Sequence, residues 1–224
     1  MSDSLQNLDW SPLLLSLKVA GVATALALVV GIALGWMFAR RRFPGSSVLE
    51  AVCMLPLVLP PTVIGYGLLI VAGRRSVPGA WLYDHFDYTI VFNWHGAVAA
   101  AAIVALPLVL KSASASFAGV DSTLEAAART LRQSPLSVFI RITLPLAWPG
   151  ILAGTLLAFA RAMGEFGATL MVAGDIPRQT QTLSMAIYDA MQGGQDHTAL
   201  LLVLVTSALS VGVVIASNRF FSLR

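Results

Sequence analysis

The chain has 224 residues, 57% of them hydrophobic and only 11% charged, and its mean hydropathy is +0.80. A soluble domain carries roughly 25% charged residues, so this composition excludes an ordinary soluble enzyme and predicts an all-α, polytopic membrane bundle, a single domain over residues 1–224. The formal net charge of +3 fits positive inner loops rather than a nucleic-acid surface, and no nucleic-acid partner is expected.

The opening MSDSLQNLDW carries Asp3 and Asp9 but no Lys or Arg. That is the reverse of a signal peptide's basic start, so no cleavable signal is expected, and an external N-terminus is tolerated. Residues 19–39 form an uncharged run long enough for about 30 Å of hydrocarbon. Lys18 precedes it and is expected to snorkel outward. Arg40, Arg41 and Arg42 follow it and place that end inside. Residues 51–73 are a second run, holding Pro56, Pro60 and Pro61. Each proline lacks an N–H and crowds the preceding turn, so this span must kink or break. Broken backbone survives in a membrane where protein or a water-filled path satisfies it. The span therefore either lines a solute pathway or carries a packing kink. Gly65 and Gly67 are read as close-approach positions. Cys53, the sole cysteine, is read as a small buried hydrophobe.

An outer loop with a short interfacial helix around residues 81–86 leads to a third span, residues 92–110, which extends through 112–120. Residues 121–147 carry the most organised polar stretch. Ser122 with Glu125 has capping-box spacing, predicting a helix from Thr123. Ser134 before Pro135 starts a second short helix, and Pro145 and Pro149 close the segment. Arg129 and Arg132, three apart, are expected on one helix face. A fourth span, residues 148–174, contains Arg161 and Glu165, four apart and on one face. At about 1.5 Å per residue Arg161 lies near mid-membrane, where an ionisable pair is either a functional group or a buried structural pair. Residues 183–191 suggest an outer amphipathic helix. Residues 198–216 are a fifth run, with Arg219 and Arg224 turning the C-terminus inward. The reading is about five spans, multi-pass in the cytoplasmic membrane, with the N-terminus outside and the C-terminus cytoplasmic.

No G-x-x-x-x-G-K-[ST] loop occurs, so any ATP must bind another subunit. The three histidines, His85, His95 and His197, offer no metal-ligand spacing. No nucleophile–base set is visible, and the chain by itself is not expected to be an enzyme.

Residues 121–147 resemble the cytoplasmic loop of ABC importer permeases, whose pattern runs E-A-A, then Gly, then I-x-L-P. Ile142, Leu144 and Pro145 fit its end. Counting back sets Arg132 on the Gly position, Ala127 and Ala128 on the two Ala positions and Ala126 on the Glu position, with the acid one residue early at Glu125. The runs LPLVLPPTVIGYGLL (55–69), WLYD (81–84) and ARAMGEFGATL (160–170) look like the molybdate-type permeases within that family, and GEFGA also occurs in sulfate permeases. The resemblance implies a type I ABC importer permease fold working by alternating access. It implies ATPase coupling through Glu125, Ala126, Ala127, Ala128, Arg129, Arg132, Ile142, Leu144 and Pro145. It implies a translocation path or gate at Pro60, Pro61, Arg161, Gly164, Glu165, Phe166 and Gly167. It also implies a homodimer in membrane lipid, two ATP-binding subunits holding ATP and Mg, an external molybdate-binding protein, and no cofactor or metal on this chain. Import of sulfate, thiosulfate or tungstate is the neighbouring alternative. An ion-coupled secondary anion transporter is the alternative of another class.

Overall fold

The computed structural model describes residues 9–41 and 43–221, and every regular element among them is helical. Asp3, Arg42 and Arg224, used in the charge reading, lie outside the described residues. The first helix, α1, runs Ser11–Arg40, well ahead of the expected start. It is followed by α2 (Ser46–Val58), α3 (Pro61–Ala72) and α4 (Val77–Phe86). Next come α5 (Trp94–Ala118), α6 (Ser122–Thr130) and α7 (Pro135–Val138). A π-helical turn, Phe139–Thr143, passes into α8 (Leu144–Met163). The chain ends with α9 (Gly167–Ala173), α10 (Leu183–Gln192) and α11 (Asp196–Phe221). Among the described residues four stretches are long and apolar enough to cross a membrane, and α2 with α3 make a fifth if the bent pair counts as one.

The bundle is organised on α5, whose apolar stretch is the most buried of the spans. Small residues let its neighbours approach. Along α1, Ala20, Ala23 and Ala27 pack on Ala97, Ala101 and Ala105. Further along, a Cβ at Gly31 would sit 2.7 Å from Val109 and one at Gly35 2.7 Å from Ala113. Backbones held this close gain van der Waals contact that larger side chains would forbid, the usual basis of helix association where lipid is as apolar as the core. On its other side α5 meets α8 in the same way, with Ser112 against Gly154 and Ser116 against Gly150. The last helix, α11, is largely uncovered and joins α8 through the Ser217 hydroxyl, which donates to the Ala153 carbonyl at 3.1 Å.

Lys18 is exposed, and its ammonium lies 3.7 Å from the centre of the Trp94 ring, linking α1 to the start of α5. Several expectations are corrected here. Pro145 and Pro149 do not close the loop. Pro145 directly follows the π turn, an irregularity of the hydrogen-bond ladder, and the apolar helix continues through both prolines from Pro135 to Met163. The fourth span is not continuous to residue 174 but breaks after Met163. Cys53 is half-buried rather than buried.

Candidate functional site

At one end of the bundle, α6, α7 and the π turn form a compact knob. Asp121, not Ser122, caps α6: its carboxylate accepts the Thr123 N–H at 2.8 Å. That bond holds the Asp121 carboxyl below the usual carboxylate range. Ser134 caps α7 as its sequence predicts, accepting the Ser137 N–H at 3.2 Å with Pro135 behind it.

Glu125 does not close a capping box. Its Oε1 accepts from Arg40 Nη2 at 2.7 Å and from Thr143 Oγ1 at 2.6 Å. The tertiary partners displace the local one because they offer charge-assisted bonds in a sheltered place, worth more than a bond to an exposed backbone N–H. Arg132 does not share a helix face with Arg129, because α6 ends at Thr130 and Arg132 has φ 58°.

Of the predicted coupling residues, Ala126, Ala127, Arg129, Arg132 and Pro145 are exposed, Ile142 and Leu144 are half-buried, and Ala128 is buried. The same knob presents Leu131, Leu136 and Ile140 to the outside. Sequence reading did not single out these side chains. Leu131 directly follows the end of α6, beside the left-handed Arg132.

The second constellation lies in the spans. Leu59 and Pro60 each precede a proline, which pushes both toward extended backbone. Their ψ angles are 141° and 139°, and α2 and α3 meet at 115°. The other interruption, at Gly164–Phe166, divides α8 from α9. The two breaks are neighbours. A Cβ on Gly167 would lie 3.1 Å from Pro61 Cβ, and one on Gly65 would lie 2.9 Å from Met171 Cβ and 3.0 Å from the Ala168 backbone. Gly67 meets nothing within 4 Å, so of the two glycines only Gly65 is a close-approach position in this chain.

Glu165 explains how the second break is tolerated. The residue is 2% exposed. One carboxylate oxygen accepts the Ala168 N–H at 3.0 Å at the start of α9, and the other accepts from Arg161 Nη1 at 2.8 Å. A carboxylate at a helix start satisfies an orphan donor and meets the positive end of the helix dipole. Arg161 and Glu165 therefore pair across the end of a helix rather than along one face. The Phe166 ring packs on Tyr188 of α10, with centroids 5.3 Å apart. The structure thus brings Pro61, Glu165, Gly167 and Ala168 together, attaches Arg161 through Glu165, and leaves Gly164 exposed.

Interrupted helices packed against one another, with a polar helical knob at one end, are the layout of a membrane transport subunit. The chain is 44% identical over 214 residues to "Molybdenum transport system permease protein ModB" of Escherichia coli (strain K12), covering 95% of this chain and 93% of the relative. It is 44% identical over 196 residues to the protein of that name in Haemophilus influenzae, covering 87% and 86%. In fold it resembles a methionine ABC transporter solved in inward-facing conformations, with a TM-score of 0.71 and 15% identity across the whole of both chains. It also resembles a bacterial ABC transporter that imports the acidic polysaccharide alginate, with a TM-score of 0.72 and 13% identity over 93% of this chain and 77% of that one. Residues 31–223 match the family model described as "Binding-protein-dependent transport system inner membrane component", and the chain belongs to that family.

Proposed function

We propose that this chain is the membrane-spanning permease subunit of an ATP-driven importer that carries molybdate across the cytoplasmic membrane by alternating access. The observation that carries the transport reading is the meeting of the two interrupted spans at Pro61 and Gly167. Backbone interruptions at membrane depth persist where they face protein or an aqueous path, and two of them in contact make a hinge that can open and close. The substrate rests on the likeness to the molybdenum permeases, which extends over nearly the whole chain.

In this reading the gate comprises Pro60, Pro61, Arg161, Gly164, Glu165, Phe166 and Gly167. Arg161 is the group that attracts an oxyanion. Glu165 holds the start of α9 and balances that charge, and it does not touch the anion. The knob of residues 121–147 is the coupling segment, docked on a separate ATPase subunit that binds ATP and Mg. This chain binds no cofactor. The run of arginines at the end of α1 supports a cytoplasmic knob, with the N-terminus outside and the C-terminus inside. None of the α2 residues is buried, and Val48, Val52, Leu55 and Val58 stand exposed. A second copy of the chain covers them, making a symmetric pair around the path. The uncovered faces of α1 and α11 meet lipid, and a molybdate-binding protein docks on the outer loops.

The test is uptake of radiolabelled molybdate into proteoliposomes holding this chain, its ATPase and a loaded binding protein, with and without internal ATP. ATP-dependent uptake that persists in excess sulfate is the expected result. Equal uptake of sulfate moves the substrate to the sister anion. Uptake that follows an ion gradient and ignores ATP overturns the importer reading.

A further inference from the structure

The coupling helix α6 is poorly anchored by packing. Ala128 is its buried residue, a single methyl for a helix that, in the reading above, must transmit force to the whole bundle. Glu125 supplies what packing does not. One carboxylate oxygen collects Arg40 Nη2 at 2.7 Å and Thr143 Oγ1 at 2.6 Å. Arg40 is the last residue of α1 and Thr143 the last of the π turn that opens into α8. The three side chains lie far apart in sequence and close three elements on one atom. They are sheltered: the Arg40 and Glu125 side chains are 22% and 12% exposed, and Thr143 is 2% exposed. Among the described residues Arg40 Nε has no hydrogen-bond partner, and Glu125 is the carboxylate paired with this arginine.

A second set of contacts closes the same seam from the apolar side. The Phe139 ring, at the start of the π turn, meets Trp36 of α1 edge-on at 5.8 Å and Phe117 of α5 at 5.9 Å. The aromatic contacts seat the π turn against the bundle, and the Glu125 oxygen ties α6 to that seat. The π turn itself belongs to a class of helix irregularity that recurs at functional positions.

We propose that Glu125, Arg40 and Thr143 form a latch that makes the coupling helix, the end of α1 and the start of α8 move as one body, with Arg40 and Thr143 as positioning residues for transport. This rests on the permease reading. A push on α6 either slides the helix across the bundle or carries the spans with it. The charge-assisted bonds to a half-sheltered carboxylate resist sliding, because parting them leaves a poorly solvated charge. Glu125 therefore acts inward, on its own chain, and the docking contacts with the ATPase fall to the exposed residues around it.

The experiment measures molybdate taken up per ATP hydrolysed in proteoliposomes of the complete transporter. Thr143→Val removes one donor at nearly constant shape, and Arg40→Gln removes the charge. Each is expected to lower the ratio by about fivefold or more, the lower end of typical coupling between sites. Thr143→Ser, which keeps the hydroxyl, restores it, a recovery that a purely steric role would not give. An unchanged ratio in both Thr143→Val and Arg40→Gln overturns the latch. Should either variant fail to assemble, amide hydrogen exchange of residues 122–130 in the isolated permease decides. Faster exchange in Thr143→Val than in Thr143→Ser supports the latch, and equal exchange overturns it. A wild-type transporter with no ATP-dependent uptake removes the permease reading and the latch together, an outcome separate from a changed ratio.

Discussion

Arg132 stands where the permease loop pattern has glycine, and its backbone has φ 58°. That conformation crowds Cβ against the following carbonyl, at a cost of about 1–2 kcal/mol for an ordinary residue and almost none for glycine. The pattern's glycine is thus a demand of the turn that ends α6, and arginine meets it under strain. Arg132→Gly is expected to stabilise the chain by about 1 kcal/mol, less what the freer unfolded chain gains. In detergent this appears as a rise in Tm of about 2–4 °C at most. A fall in Tm would mean that the arginine side chain contributes more than its backbone costs. Glu125 teaches the complementary lesson. Its spacing from Ser122 suits a local cap, yet its partners come from 85 and 18 residues away. Nothing in the sequence around Glu125 names them.

Among the elements, the crossing of α3 and α9 has little room for change. A Cβ at Gly65 meets Met171 Cβ at 2.9 Å and the Ala168 backbone at 3.0 Å, and backbone cannot step aside as a flexible side chain does. Gly65→Val is expected to cost about 1–3 kcal/mol by overpacking and to abolish uptake, because it separates the two interrupted spans. Gly67→Ala, two residues on, meets nothing within 4 Å and is expected to leave stability and uptake near wild type. Thermal unfolding and uptake of the two variants side by side check the contrast. Loss of uptake in both would show that an unoccupied face of α3 is also in use. The breaks themselves differ in how readable they are. Pro60 and Pro61 announce the first, since each restricts the residue before it. The second has no proline. It depends on Gly164 and on a carboxylate that reaches forward to the Ala168 N–H, and a run of apolar residues around Glu165 reads as one continuous helix.

Taken whole, the chain leaves two kinds of surface uncovered. The flanks of α1 and α11 are apolar over the length of a membrane, and the shorter α2 adds exposed apolar side chains beside them. The knob, by contrast, is polar but for Leu124, Leu131, Leu136 and Ile140. Leu131 is 75% exposed, and burying a leucine is worth about 1.5–3 kcal/mol. Leu131→Glu is expected to leave the permease in the membrane with its fold intact and to weaken its hold on the ATPase by about tenfold or more. Co-purification of the two subunits at graded dilution measures this. An undiminished complex would place the contact elsewhere on the knob.

The sequence by itself determined the membrane class, the helical fold, the approximate positions of the spans, the first break and the existence of the knob. Those features follow from composition, from runs of apolar residues and from prolines and caps, all of which act over a few neighbouring residues. Only the tertiary structure decided which elements touch. It set the two breaks against each other, moved Lys18 onto Trp94 and continued the helix through Pro145. It also drew Glu125 away from Ser122 toward Arg40 and Thr143. The physical reason is one of competition. A sheltered, charge-assisted partner or a close small-residue contact outweighs a local preference worth about 1 kcal/mol, and such partners exist only once distant segments have been packed together.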